Sequence, residues 1–275
     1  MIKVENVSFK YKNGENVLEN INFEINEGEF ISIVGKNGTG KSTLLSLIAG
    51  IIKPTKGTIF IDEIDTKSKK NFIELRKKIG YIFQNPDNQV LFPRVYEDID
   101  FALKNLELDN REERIDEALN LVNMKEFKDK DTYELSLGQK QRINIASALA
   151  AKPKYIILDE PTTMIDSKEK DNIYTCLQEL KKQGYTIIFV TNNANEILLS
   201  DKVFILENKK IRYILNKKDL IKNVELIEKC GIKLPDIIQI VLKLKEKDIN
   251  LKLKDWTTTE IIDEIVRVSK SEKHN

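Results

Sequence analysis

Two groups of residues in this chain have the types and spacing that chemistry on a phosphorylated ligand requires. The first is Gly35-Lys36-Asn37-Gly38-Thr39-Gly40-Lys41-Ser42-Thr43, which fits G-x-x-x-x-G-K-[ST]. Glycines at this spacing let the backbone curl with its N–H groups inward, Lys41 adds a positive charge, and Ser42 offers a hydroxyl suited to Mg²⁺. The second is the pair Asp159-Glu160, which follows the apolar run Tyr155-Ile156-Ile157-Leu158. Adjacent carboxylates at the end of a buried strand are costly to desolvate, and a bound cation offsets that cost.

The elements that must position these groups are legible on either side. Residues 30–34 read as a buried strand, and Leu44, Leu45, Leu47 and Ile48 follow at helical spacing, so the glycine-rich loop joins strand to helix. The helix start adds its dipole, and the context favours a phosphate site over a plain turn. Residues 155–158 read as a strand buried on both faces, as parallel strands are. Ahead of the loop, residues 2–9 and 17–25 read as strands separated by turns at 12–14 and 26–28. Phe9 and Tyr11 end the first strand. They fit as ordinary strand aromatics, although Tyr11 has a ring able to stack on a flat base.

After the loop, 58–62 and 79–84 read as strands, the latter ending in Gln84, with a short helix at 71–78 between them. Residues 96–124 read as helical behind a capping-box pattern, Asn110-x-x-Glu113. Residues 135–142 lead into a helix reaching Ala151, and Ser136-x-x-Gln139 taken alone is a capping box. An amphipathic helix spans 166–183, a strand spans 186–191, and 201–207 with 210–215 form a closing strand pair. Beyond residue 217 the strand pattern ceases. Pro235 opens one helix and Thr257-x-x-Glu260 caps another, and helices this short must pack on the main domain or on a partner.

The chain has 275 residues, with 45 Lys+Arg against 44 Asp+Glu, so no global basic field draws it to nucleic acid. No apolar run approaches the roughly 18 residues of a membrane span, and the charged start Met1-Ile2-Lys3-Val4-Glu5 does not suit a signal peptide. A cytosolic protein is expected. Cys176 and Cys230 have no metal-ligand spacing and read as reduced packing residues.

Taken in order, the loop, Gln84, Leu135-Ser136-Leu137-Gly138-Gln139-Lys140-Gln141-Arg142 and Asp159-Glu160 resemble the nucleotide-binding ATPase of ABC transporters over residues 1–216. The resemblance implies an α/β fold: a P-loop NTPase core with a mainly parallel sheet, an antiparallel β subdomain and a helical subdomain at about 85–151. A small C-terminal helical appendage at 217–275 would serve dimerisation. It implies ATP and Mg²⁺ as cofactors. Tyr11 would stack on adenine, and Gly35, Asn37, Gly38, Gly40 and Thr43 would shape the phosphate loop. Lys41 would hold the β- and γ-phosphates, Ser42, Gln84 and Asp159 would arrange Mg²⁺, and Glu160 would be the general base. Ser136, Gly138 and Gln139 would meet ATP bound to a facing subunit, and Asp166 would link the two sites. Within the family the chain is most similar to the ATPases of energy-coupling-factor importers for cobalt and vitamins. That likeness rests on residues 83–89, 96–102 and Ile232-Lys233-Leu234-Pro235. It implies a transmembrane coupling subunit received by residues 84–101, a substrate-binding membrane subunit, and a peripheral place on the cytoplasmic face of the cell membrane. The alternative for Glu97, Asp98 and Asp100 is a solvated acidic helix start.

The sequence departs from the family pattern twice. Asn192 stands where the family places a His, and the single histidine of the chain is His274. Asn192 can donate a hydrogen bond to a phosphate but cannot carry a proton at neutral pH. Leu137 stands where the signature has its first Gly. Asn192 would act on this chain's own ATP and Leu137 on the partner's, so a heterodimer with unequal sites is favoured over a homodimer. The competing functions are a soluble ABC ATPase working on nucleic acid or ribosomes, and a non-hydrolysing regulatory subunit. The first lacks a second phosphate loop and a basic surplus, and the retained Glu160 argues against the second.

Overall fold

Burial at every position of Phe30–Val34 fits only the middle of a sheet covered on both faces. The computed structural model describes residues 1–12, 14–191, 193–216, 219–220, 223–230, 232–233, 235–253 and 257–272. Among these, the strands are β1 (Ile2–Lys10), β2 (Asn16–Ile25), β3 (Phe30–Val34), β4 (Lys56–Ile61), β5 (Ile64–Asp65), β6 (Ile79–Ile82), β7 (Tyr155–Asp159), β8 (Thr186–Val190), β9 (Lys202–Glu207) and β10 (Lys210–Asn216). They form an antiparallel sheet in the order β2-β1-β4-β5 and a second sheet in the order β10-β9-β3-β8-β7-β6. In the second sheet every neighbouring pair is parallel except β10 with β9. This is an α/β fold with a mainly parallel core sheet and an antiparallel β sheet beside it.

Alternation along the central strands sorts their side chains into two cores. Ile157 and Ile188 face helix α1 (Lys41–Ile48) and the antiparallel sheet, in a core with Leu44, Leu45, Leu18 and Ile59. Ile156, Leu158, Ile187 and Phe189 face the other way, onto α3 (Val95–Asn105), α4 (Arg111–Leu121), α5 (Leu137–Ala150) and α6 (Ser167–Lys182). The remaining helix between the cores in sequence, α2 (Phe72–Lys78), leads directly into β6. Of the two options for the C-terminal helices, the structure shows the first. Ile227, Ile238, Val241 and Ile261 from Val224–Lys229, Asp236–Glu246 and Thr258–Glu272 pack on Val203 and Ile205 of β9.

The parallel order carries the functional consequence. β8 lies between β3 and β7, with Ile33 paired to Val190 and Val190 to Asp159, so three strand ends meet at one edge. Ligands of open α/β sheets bind outside such carboxyl ends. The opposite end of β7 is pinned, because the Tyr155 hydroxyl donates to Asp62 at 2.5 Å and Lys154 pairs with the same carboxylate at 3.0 Å.

Two local expectations fail for stated reasons. The continuous helical pattern over 96–124 breaks into α3 and α4, with Glu107 and Asn110 in the left-handed region at φ 54° and 53°. With its backbone left-handed, Asn110 makes no side-chain cap, so the Asn110-x-x-Glu113 box does not form. The strand read over 79–84 ends at Ile82, because the Phe83 amide donates to the Gln89 side chain at 3.1 Å instead of continuing the ladder. Gln84 therefore stands in a loop. Cys176 and Cys230 are buried and free, as read from their spacing, and burial pushes the Cys176 thiol up to about 12.

Candidate functional site

The loop after β3 turns into α1 through Gly40, which sits at the helix N-cap with φ 100°. A Cβ there would meet Val17 Cγ1 at 2.8 Å, so both conformation and space require glycine. Lys41 is buried and curls back over the loop. Its Nζ donates to the carbonyl oxygens of Gly35 at 2.9 Å and Lys36 at 3.2 Å. Burial pulls its pKa down, while Glu160 and Asp159 push it up. An ammonium held by two neutral carbonyls gains when an anion takes their place.

Tyr11, Val17, Asn37, Gly38, Gly40, Lys41, Ser42, Thr43, Gln84 and Glu160 line an open cleft of about 470 Å³ over this loop. Tyr11 is 53% exposed, with its ring edge-on to Phe9 at 4.8 Å and its hydroxyl 3.2 Å from Thr43 Oγ1. At the far wall Glu160 Oε2 accepts from Gln84 Nε2 at 3.1 Å and from Thr163 Oγ1 at 3.2 Å. Asp159 lies beneath, 8% exposed, and its Oδ1 accepts from Ser42 Oγ at 2.9 Å. Burial raises the Asp159 pKa, and Glu160 adds to the rise against the Ser42 bond. This carboxylate is disfavoured as an anion until a cation compensates it. The oxygen donors Ser42, Gln84 and Asp159 suit a hard cation such as Mg²⁺. Among the described residues no cluster of three or more His, Cys, Asp or Glu side chains could hold a metal. Mg²⁺ binding of this kind relies on phosphate oxygens and waters for the remaining ligands.

Ser136, Gly138, Gln139 and Asp166 do not line this cleft. They form a second surface at the starts of α5 and α6. Ser136 caps α5 in a full capping box: its amide donates to Gln139 Oε1 at 2.9 Å and the Gln139 amide to Ser136 Oγ at 3.2 Å. Asp166 caps α6 by accepting from the amides of Lys168 and Glu169. The two helix starts touch. A Cβ on Gly138 would meet Glu169 Cβ and Cγ at 2.6 Å, so this glycine permits the α5–α6 contact, and Arg142 Nε pairs with Glu169 at 3.1 Å. Leu137 is 38% exposed beside them.

The loop carrying Gln84 is bonded to α5, with Gln141 Nε2 donating to the Phe83 carbonyl at 3.2 Å, Asn144 Nδ2 to that of Pro86 at 3.0 Å, and Lys140 paired with Asp87 at 2.7 Å. The acidic start of α3 is only partly solvated. Glu97 is exposed, but Asp98 is buried and accepts from the amides of Leu91 and Phe92 at 2.7 and 3.0 Å, while Asp100 pairs with Arg111. Burial raises the Asp98 pKa against those two bonds.

Asn192 lies outside the described residues. Two participants escape sequence reading. Tyr81 directs its hydroxyl at Asp159 Oδ2 from 3.5 Å, and Thr163 supports Glu160. Only the position of Thr163, three residues after Glu160, gives a local signal.

A phosphate loop on a parallel sheet, facing an Asp-Glu pair and a glutamine from the next loop, defines the class of an ABC-type P-loop ATPase. The family model described as ABC transporter matches residues 18–163. The energy-coupling factor transporter ATP-binding protein EcfA1 of Fusobacterium nucleatum is 41% identical over 92% of this chain and 96% of its own length. EcfA2 of Caldanaerobacter subterraneus subsp. tengcongensis is 38% identical over 99% of both. The structure of CbiO1 from Clostridium perfringens, described as part of the ABC transporter complex cbiONQ, matches with a TM-score of 0.74 at 38% identity, covering 87% of this chain and 97% of that one. A dimeric, post-hydrolysis ATP-binding cassette bound to ADP and Pi gives 0.71 at 33% identity, covering 78% and 98%. The chain belongs to the ABC transporter family, among the energy-coupling factor ATP-binding proteins, and is an ABC ATPase.

Proposed function

We propose that this chain binds and hydrolyses ATP as one subunit of a paired ATPase that drives an energy-coupling-factor importer for a metal ion or vitamin. The observation that carries this reading is the separation of two half-sites on one chain. The cleft over Lys41 holds the groups suited to ATP and Mg²⁺, whereas Ser136, Gly138 and Gln139 face elsewhere at the start of α5. A second chain would bring its own signature to this cleft and receive this chain's signature in return, with Asp166 near the seam.

Within the cleft, Tyr11 would stack on the base, the amides of residues 37–43 would cradle the phosphates, and Lys41 would turn from its carbonyls to the β- and γ-phosphates. Ser42, Asp159 and Gln84 would hold Mg²⁺, which when bound neutralises phosphate charge. Glu160, oriented by Gln84 and Thr163, would accept the proton of the attacking water. Asn192 would donate to the γ-phosphate without carrying charge. Catalysis of this type is chiefly positioning and charge neutralisation.

Phe83, Leu91 and Phe101 expose apolar surface around residues 84–101, and this surface suits a coupling helix from the membrane subunit. Among the described residues no helix is long and apolar enough to cross a membrane. A peripheral place at the cytoplasmic membrane face, beside a transmembrane coupling subunit and a substrate-binding membrane subunit, fits the names of the relatives. The relatives include proteins named EcfA1 and EcfA2, and Leu137 with Asn192 gives this chain one weakness in each of two sites. A heterodimer with unequal sites follows. Phosphate release by the purified chain alone is expected to be slow and to rise on adding a second ATPase subunit of the same importer. Brisk hydrolysis by the lone chain, unchanged by the partner, contradicts the heterodimer.

A further inference from the structure

Glu196 is 2% exposed and has no part in the cleft, yet three elements converge on its carboxylate. Thr162 Oγ1, from the turn after β7, donates to Oε1 at 2.5 Å, as does the Tyr174 hydroxyl of α6 at 2.5 Å. Thr191 Oγ1, at the end of β8, donates to Oε2, and Asn193 Nδ2 donates to Oε1 at 3.3 Å. A buried carboxylate is stable only where its oxygens are so satisfied. Burial and then Glu196 raise the Tyr174 pKa, so the phenol keeps the proton it donates.

The turn held in this way carries Glu160 two residues before Thr162. Glu160 adopts φ 45°, a left-handed conformation that a non-glycine residue keeps only when its surroundings over-determine it. Its amide donates to the Val190 carbonyl at 3.1 Å, its carbonyl accepts from the Thr163 amide at 3.2 Å, and its carboxylate accepts from Thr163 Oγ1. Those bonds fix Glu160 to β8 and to Thr163. The Thr162–Glu196–Thr191 bridge ties the same turn to the end of the same strand from the other side.

We infer that Glu196 is a positioning residue for hydrolysis: through Thr162 it locks the turn that aims Glu160 at the attacking water. The inference rests on Glu160 acting as the general base. Misplacement of a reacting group by about 1 Å costs up to about 10²-fold in rate without loss of binding. The test is steady-state phosphate release by the assembled complex, with hydrolysis at the partner's own phosphate loop blocked, carrying Thr162→Val or Thr162→Ser. Valine keeps the shape and loses the hydroxyl, whereas serine keeps the hydroxyl. Thr162→Val is expected to lower kcat roughly 10- to 100-fold with KM for ATP within about twofold. Thr162→Ser is expected to stay within about threefold of the parent in kcat. The double variant Thr162→Val with Glu196→Ala should be no slower than the slower single variant, since both cut one bridge. Equal kcat for valine and serine variants, or a loss confined to KM, overturns the inference. Tyr174→Phe, which leaves the bridge intact, is expected to retain kcat, and an equal loss there would assign Glu196 to general packing. Glu160→Gln in the same assay separates the two levels: if it keeps turnover, the general-base reading fails and takes the inference with it. If it stops turnover while Thr162→Val does not slow it, the inference alone fails.

Discussion

Glu160→Gln is expected to stop turnover at this chain's own cleft while leaving ATP bound there. The substitution keeps size and hydrogen bonding but removes the site that accepts a proton, and general-base catalysis contributes about 10²- to 10⁴-fold. The loss should therefore appear in kcat, with the affinity for ATP changed by less than about threefold. Glu160 is well placed for this role. Gln84 and Thr163 both donate to the same oxygen, Oε2, which fixes the carboxylate plane at the cleft wall. Phosphate release and nucleotide binding, measured on the same assembled complex, separate the two effects. Turnover at this cleft within about threefold of the parent would place the base elsewhere.

Lys41→Ala is expected to act on binding first. In the structure the ammonium rests on the Gly35 and Lys36 carbonyls and is almost fully withdrawn from solvent. Charge-assisted hydrogen bonds are worth about 1.5–3 kcal/mol, so losing them to the phosphates should weaken ATP binding roughly 10- to 100-fold. Removal of the cation also takes a positive charge away from beside Asp159 and Glu160, and both effects lower affinity for an anionic ligand. Equilibrium binding of labelled ATP to the purified chain measures this directly. An affinity within about twofold of the parent would show that the backbone amides alone cradle the phosphates.

The parts of this site that were legible in the sequence are those whose chemistry is local. Gly40, Lys41 and Ser42 announce themselves because loop, charge and helix start follow one another within a few residues. Ser136 and Gln139 form the capping box that their spacing implies. The apolar run before Asp159 fixes where the Asp-Glu pair must emerge. What the sequence hides are relations across the chain. Gln84 meets Glu160 from 76 residues away, and only the non-sequential order β3-β8-β7-β6 brings their loops together. Asp98 has the composition of a solvated helix start, yet it is buried and accepts from the amides of the loop at Leu91 and Phe92. Asn110 fits a capping pattern, but spacing does not reveal a left-handed backbone. Glu196 sits in an unremarkable polar stretch, and its four side-chain donors come from three separate segments.

Composite assembly is the central claim: this chain's signature serves ATP held by a second chain. It is tested most directly by Ser136→Arg in the assembled importer, with phosphate release and nucleotide occupancy read at each site. Arginine at the start of α5 removes the capping hydroxyl and fills the space a facing phosphate would need. The expected result is a loss of about tenfold or more in hydrolysis at the partner's phosphate loop, with ATP affinity at this chain's own Lys41 cleft unchanged. Full hydrolysis at the partner's loop, or a loss of binding confined to this chain's own cleft, contradicts a site shared between two chains.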